Sequence, residues 1–294
     1  MMTVAARKQT TEDDITAEVL RRLEGTPDPR LKQIVQSLIK HTHMFLKDVQ
    51  LTEAEWFEGI RFLTETGQKC DDRRQEFILL SDTTGVSMVV DLISHRKPEG
   101  ATESTVFGPF YRPGANDLPA GGNMATTDAK GVPAIISGRV LDGSGAPIAG
   151  ALLDAWQANS QGFYDSQLAS HDTLQMRGKY TTDKDGRFLI RTTRPVAYQI
   201  PTDGPVGRML QATGRHGWRP AHVHFVVSAD GYEPVTTHIF DSIDKYLEGD
   251  AVFGVKDSLI VEFKEHASQA ELAKQLGVPA PYVTADFDFV LKRK

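Results

Sequence analysis

The string Arg219-Pro220-Ala221-His222-Val223-His224-Phe225 holds the residue types of a metal site. In an extended strand, residues two apart share one face about 6.6 Å apart along the chain, a separation from which two imidazoles can turn toward one ion. Val226 continues that face, while Val223, Phe225 and Val227 point the other way, into a core. Taken alone, the string is equally compatible with two polar residues on a half-buried strand. His41-Thr42-His43 serves as a control, because the same spacing falls there inside a helical pattern. Two helical residues that far apart differ by roughly 200° around the axis, so these rings diverge and read as ordinary surface or interface histidines.

Two histidines need further ligands. The sequence has one cysteine, Cys70, which excludes an intrachain disulfide and a Cys-rich zinc or iron–sulfur cluster and suits a reducing cytoplasm. Carboxylates are plentiful, yet none sits at a telling offset from the pair. Loop tyrosines come next, notably Tyr164 in Asn159-Ser160-Gln161-Gly162-Phe163-Tyr164-Asp165 and Tyr198 before Ile200-Pro201-Thr202-Asp203-Gly204-Pro205. By composition alone each reads as a packing tyrosine. Asp183-Lys184-Asp185-Gly186 lacks the later ligands of a calcium loop and reads as a hairpin turn. Gly121-Gly122 shows no phosphate-loop pattern.

The elements that must carry these residues change character along the chain. Gly and Pro number 8 in residues 1–100 and 32 in residues 101–294, which sets a boundary near Arg96-Lys97-Pro98-Glu99-Gly100. Before it, Ile15, Val19 and Leu23, then Leu31, Ile34, Val35, Leu38 and Ile39, recur at helical spacing. Thr52-Glu53-Ala54-Glu55 is a capping box opening a further helix through Trp56, Ile60 and Leu63. Beyond it, short β-rich runs (Ile135 to Val140, Phe188 to Thr192, Val223 to Val227, Val235 to Phe240, Leu259 to Phe263) alternate with Asp-Gly turns. The expected architecture is α+β: a helical N-terminal domain over 1–100, then an antiparallel β-sandwich over 101–294 that holds the metal. A net charge of −6 gives no reason to expect a nucleic-acid partner. Neither a signal peptide nor a run of roughly 18 apolar residues is present, so no membrane insertion is expected.

Five strings in order, Gly108-Pro109-Phe110-Tyr111, Asp154-Ala155-Trp156-Gln157-Ala158-Asn159 through Tyr164, Arg177-Gly178-Lys179-Tyr180-Thr181-Thr182-Asp183, Ile200 to Gly207 and Arg219 to His224, resemble the intradiol ring-cleavage dioxygenases. The likeness continues into Trp56 to Cys70 and Arg74 to Gly85 and so covers most of the chain. It implies a non-haem iron(III) held by Tyr164, Tyr198, His222 and His224 with a solvent-derived hydroxide. The charge balance agrees, since ionising a phenol of pKa about 10 at pH 7 costs roughly 4 kcal/mol and requires a strongly charged hard cation. Two phenolates and one hydroxide cancel the metal's +3, and a diolate substrate restores neutrality by displacing hydroxide and one tyrosinate. In the family that tyrosinate stands at the Tyr198 position, and the departing groups serve as bases for the substrate protons. The implied reaction joins O2 to an aromatic diol and opens the ring between its hydroxyl-bearing carbons.

The resemblance also assigns the surroundings. Arg219, which by itself reads as a surface ion-pair partner, becomes the guanidinium that stabilises charge on the attacked ring carbon. His238 stands where the catechol-cleaving branch usually has Gln, and resembles the branch acting on hydroxyquinol, 1,2,4-trihydroxybenzene. Val196-Ala197 departs from relatives that carry Pro before the tyrosine. The pocket is expected to be lined by Leu79, Asp82, Val106, Phe107, Gly108, Pro109, Ile200, Pro201, Ala251 and Val252. The small Ala251 would leave room for a third ring substituent, and Asp82 would accept its hydroxyl. Asp82 could equally be the N-cap of a helix starting at Thr83. Relatives form homodimers through the N-terminal helices and can hold a phospholipid at the interface; a plain intradomain core is the alternative for the Leu31 to Ile39 stripe. Catechol or a chlorocatechol is the alternative substrate. The rival from another class is a non-catalytic β-sandwich binding module, since Gly138 to Trp156 and Tyr180 to Phe188 suit that as well.

Overall fold

The computed structural model describes residues 9–72, 74–96, 100–168 and 173–294. The chain forms two compact units, Met1–Thr64 and Glu65–Lys294. Helices come first: α1 (Glu12–Arg22), α2 (Pro29–Val49), α3 (Glu53–Gln68), α4 (Glu76–Thr83) and α5 (Val86–Ser94). Their starts follow local chemistry. Thr11 and Asp14 form a capping box for α1, and Asp28 accepts from the first-turn amides of α2, where Pro29 needs no donor of its own. The expected box at α3 is present, with Thr52 donating its backbone N–H to Glu55 at 2.8 Å. No residue of α1 or α2 is buried, and Leu31, Ile34 and Leu38 are about half exposed or more, so the stripe does not form an intradomain core. His41 and His43 diverge as the helical spacing requires, one contacting the Ser37 carbonyl and the other Thr16. Among the described residues no single helix is long and apolar enough to cross a membrane.

The strands follow: β1 (Pro133–Asp142), β2 (Leu152–Trp156), β3 (Arg177–Thr181), β4 (Arg187–Thr193), β5 (Tyr198–Gln199), then α6 (Pro205–Ala212) and β6 (Trp218–Arg219). After these come β7 (His222–Ser228), β8 (Val235–Asp241), β9 (Ile260–Val261), β10 (Lys264–His266), α7 (Glu271–Gln275), β11 (Tyr282–Asp286) and β12 (Phe289–Leu291). One sheet runs β10-β11-β1-β12 with β4 also on β1; the second runs β3-β2-β7-β8-β9; β5 and β6 form a two-stranded ribbon. The sandwich is mixed rather than wholly antiparallel, because β1 pairs parallel with β11 and β12 and β8 pairs parallel with β9.

Both sheets contribute to one apolar cluster, with Ile136, Ile190 and Phe289 from the first and Leu153, Val223, Phe225, Val227 and Ile239 from the second. Burying a side chain such as Phe225 is worth about 1.5–3 kcal/mol. That alternation fixes the site, because anchoring Val223, Phe225 and Val227 inside turns His222, His224 and Val226 to the opposite face of β7. A second cluster covers that face, with Trp156, Tyr164, Tyr198, Ile200, Leu79, Ala251 and Val252 among its members and Val226 against it.

Candidate metal centre

The register of the second sheet sets three residues in a row across it: Trp156 on β2 opposite His224 on β7, and His224 opposite His238 on β8. The Trp156 indole stacks on the His224 ring at 4.6 Å, and the His238 ring stacks on His222 at 4.7 Å. The Pro220 carbonyl lies 2.6 Å from His222 Nδ1, which fixes the ring proton there and leaves the Nε2 lone pair facing inward. His222 Nε2 and His224 Nε2 lie 3.1 Å apart. The Tyr164 hydroxyl is 2.8 Å from His224 Nε2 and 3.5 Å from His222 Nε2, and the Tyr198 ring stands edge-on to Tyr164 at 5.2 Å. The donor atoms of Tyr164, His222 and His224 therefore converge, the Tyr198 ring packs beside Tyr164 and His222, and all four side chains are buried.

Two local structures deliver the phenols. Tyr164 ends a turn in which the Asn159 side chain accepts from Gln161 and Phe163 and Gly162 takes φ +81°, a left-handed conformation suited to glycine. Asp165 then anchors the loop. Its carboxylate accepts from Arg177 at 2.7 and 2.5 Å, and Arg177 also donates to the Phe110 carbonyl at 2.6 Å. Phe110 in turn stacks on the Tyr164 ring at 4.6 Å. Tyr198 sits in the β5–β6 ribbon directly opposite Arg219.

The electrostatics fit a cation. Burial, followed by the Arg219 charge, pulls the His222 pKa well below the usual imidazole value. Burial likewise lowers His224, aided by the other imidazoles, and His238. All three are thus neutral donors, and their ring nitrogens lie within 4.8 Å of one another. Burial pushes the Tyr164 phenol well above its ordinary value, and the neighbouring Tyr198 adds to this while Arg219 opposes it. An ionised phenol at such a site needs a strongly charged neighbour. Neutral imidazole nitrogens converging on a buried phenol suit a metal ion, whose charge would offset the cost of ionising that phenol.

Arg219 is not on the surface: its side chain is 2 % exposed and bonds in a fork to Asp250, while Nη1 lies 3.4 Å from both the Tyr198 hydroxyl and His222 Nε2. Of the expected pocket residues, Leu79, Pro109, Ile200 and Pro201 line a cavity of about 630 Å³ that Tyr198 and Phe110 also border. Asp82, Val106, Phe107 and Gly108 line a second, of about 490 Å³, beside α4 and α5. Ala251 and Val252 are buried in the apolar cluster that contains both phenols. Asp82 falls inside α4 and caps nothing; the residue before α5 is Gly85. Burial raises the Asp82 pKa against the opposing Ser87 hydrogen bond and Arg219 charge. Asp250, Asp165, Arg177 and Trp156 are neighbours of the candidate site residues, through Arg219, the Tyr164 loop, Phe110 and His224 respectively, that spacing alone did not reveal.

A profile described as Dioxygenase matches residues 106–293, and one described as Catechol dioxygenase N terminus matches residues 28–102. The chain belongs to the intradiol dioxygenases. A hydroxyquinol 1,2-dioxygenase of Rhizobium sp. is 47% identical over 284 residues, covering 96% of each chain. A 6-chlorohydroxyquinol 1,2-dioxygenase of Cupriavidus pinatubonensis is 49% identical, covering 95% of this chain and 97% of its own. The crystal structure of hydroxyquinol 1,2-dioxygenase from Pseudomonas putida superposes with a TM-score of 0.90 at 54% identity, over 96% of this chain and 99% of its own. As an intradiol dioxygenase the chain is a ring-cleaving enzyme with a metal site. The stretches that suited a binding module, Gly138 to Trp156 and Tyr180 to Phe188, lie inside the matched catalytic region.

Proposed function

We propose that this enzyme holds iron(III) through Tyr164, Tyr198, His222 and His224 and cleaves hydroxyquinol with O2 to 3-hydroxy-cis,cis-muconate, the enol tautomer of maleylacetate. The observation that carries the reading is the approach of the Tyr164 hydroxyl to two imidazole nitrogens whose protonation is suppressed by burial. When bound, a ferric ion would supply a positive centre that takes the substrate as a diolate and, by accepting electron density from it, gives the ring the radical character that lets it combine with triplet oxygen.

The chain's own residues do the rest. Tyr198 would be the phenolate that gives way to the incoming diol, its oxygen taking up one substrate proton. Tyr164 stays, because the Phe110 stack and the Asp165–Arg177 pair hold its loop. Arg219 directs Nη1 to the space beside Tyr198 and stabilises negative charge developing on the ring. His238 packs against both ligand imidazoles and keeps them from turning. Leu79, Pro109, Ile200 and Pro201 supply the apolar part of the cavity wall that Tyr198 borders, against which an aromatic ring can pack.

The hydroxyquinol preference rests on Asp82 as partner of the third hydroxyl, on the room left by Ala251, on His238, and on the relatives named above. Steady-state rates on hydroxyquinol, catechol and a chlorocatechol, measured side by side, test it; much faster turnover of catechol than of hydroxyquinol would refute the preference. The same reading includes a homodimer, supported by the exposed Leu31, Ile34, Leu38, Trp56 and Phe57, with room for a phospholipid against those apolar faces, and a cytoplasmic site of action. A monomeric mass by light scattering at micromolar concentration would contradict the dimer.

A further inference from the structure

We propose that Asp250 is the positioning residue for Arg219, one carboxylate that aims the guanidinium at the metal centre and ties it to the Ala251–Val252 wall of the pocket. The inference rests on the functional reading above. A guanidinium offers five N–H groups in a rigid fork, and which edge is occupied decides where the rest point. Here Nε donates to Asp250 Oδ1 at 3.1 Å and Nη2 to Oδ2 at 3.3 Å, so the side edge is taken. Nη1 is the corner left over, and it lies 3.4 Å from the Tyr198 hydroxyl and from His222 Nε2.

The same carboxylate fixes the turn that follows it. Oδ1 accepts from the Val252 amide at 3.3 Å and Oδ2 from the Gly254 amide at 2.9 Å. Position 254 is tight: a Cβ there would stand 3.0 Å from Arg219 Nη2 and 3.1 Å from Asp250 Oδ2, so it would press on the ion pair. The Ala251 amide donates to the carbonyl of Trp218, the residue before Arg219, at 3.0 Å. Arg219 and the wall at Ala251 and Val252 are therefore tied together through one carboxylate and one backbone bond. The charge matters as much as the aim. An unpaired buried guanidinium repels a metal cation beside it, and Asp250, whose side chain is 2 % exposed, cancels that charge without coordinating at the centre.

A double-mutant cycle tests this on the iron-loaded enzyme with Asp250→Asn, Arg219→Gln and the pair. Asp250→Asn should lower kcat on the order of 100-fold, as expected for leaving a buried ion unpaired, with KM changed by less than about 3-fold. In the Arg219→Gln background the same change should cost less than about 3-fold, because Asp250 acts through Arg219. Losses that multiply, or Asp250→Asn turnover within about 3-fold of wild type, would overturn the proposal. Asp250→Glu retains the charge but shifts the fork by one methylene; it should bind substrate anaerobically as wild type does and turn over at least about 10-fold more slowly. Wild-type turnover by Asp250→Glu would overturn the aiming role even if Asp250→Asn did not fold. The cycle is read on whichever diol the wild type cleaves, so failure of hydroxyquinol as the substrate and failure of the coupling are separate results.

Discussion

Replacing Asp165 by Asn removes the charge that anchors the Tyr164 loop while nearly preserving its shape. The carboxylate accepts two bonds from Arg177, one from the Ser166 amide at 2.8 Å and one from the Gln175 amide at 3.2 Å. An amide keeps one acceptor oxygen and leaves the Arg177 side chain, 2 % exposed, without its counter-ion. Breaking a buried pair from one side costs about 3–5 kcal/mol, and the bond Arg177 keeps to the Phe110 carbonyl sets the expectation near 3. For a unit of this size each kcal/mol moves the melting midpoint by roughly 2–4 °C, so iron-free Asp165→Asn should melt about 6–12 °C below wild type. Burial alone would raise the Asp165 pKa, but Arg177 overrides it and holds the carboxyl below its ordinary value. A depressed acid contributes stability that is fully present above its unfolded pKa of about 3.9 and is lost as pH falls through the folded value, so the whole effect should appear at pH 7. Calorimetric melts of the iron-free proteins measure it, and a shift under about 3 °C would refute the anchoring role. Arg177→Met combined with Asp165→Asn, which buries no lone charge, should recover part of the loss.

Arg219→Lys loses the planar fork toward Asp250 and should lower kcat on the order of 100-fold with iron content unchanged; equal turnover would remove Arg219 from the chemistry. Asp82→Asn should lower kcat/KM on hydroxyquinol at least about 10-fold more than on catechol, and proportional losses on both would mean that Asp82 does not read the third hydroxyl. Gly108 has φ +78° and its added Cβ would lie 3.3 Å from His224 Cε1, so Gly108→Ala should cost about 1–2 kcal/mol, seen as a lower melting midpoint. His222, His224 and His238 have depressed pKa values, and a histidine of that kind stabilises the fold above its unfolded pKa of about 6.5 and costs stability below it. The iron-free enzyme should therefore melt progressively lower from pH 7 to pH 5, and a flat profile would contradict neutral burial.

Alternation in β7 was legible because a period of two leaves one choice of face once Val223, Phe225 and Val227 need a core. The capping box at Thr52 was legible for a similar reason, being written within four residues. The parallel pairing of β1 with β11 and β12 was not, since no local pattern links Ala134 to Val283. Short-range patterns also misread Asp82 and Arg219. Asp-Thr-Thr-Gly suits an N-cap, yet Asp82 lies in the last turn of α4, which ends at Thr83; an isolated arginine suits the surface, yet Asp250 pairs with it across 31 residues. Tyr164 and Tyr198 were candidates by elimination but read as packing residues until the family likeness made them ligands, because a phenol's environment, not its neighbours in sequence, decides whether it packs or binds.

The visible spectrum of the iron-loaded enzyme, recorded before and after anaerobic addition of hydroxyquinol and repeated for Tyr164→Phe and Tyr198→Phe, tests the centre itself. The account predicts a burgundy wild-type protein with a tyrosinate-to-iron band that moves to the red when the diol binds, and a changed band in each variant. A colourless, iron-replete protein, or bands that survive both substitutions unchanged, would contradict it.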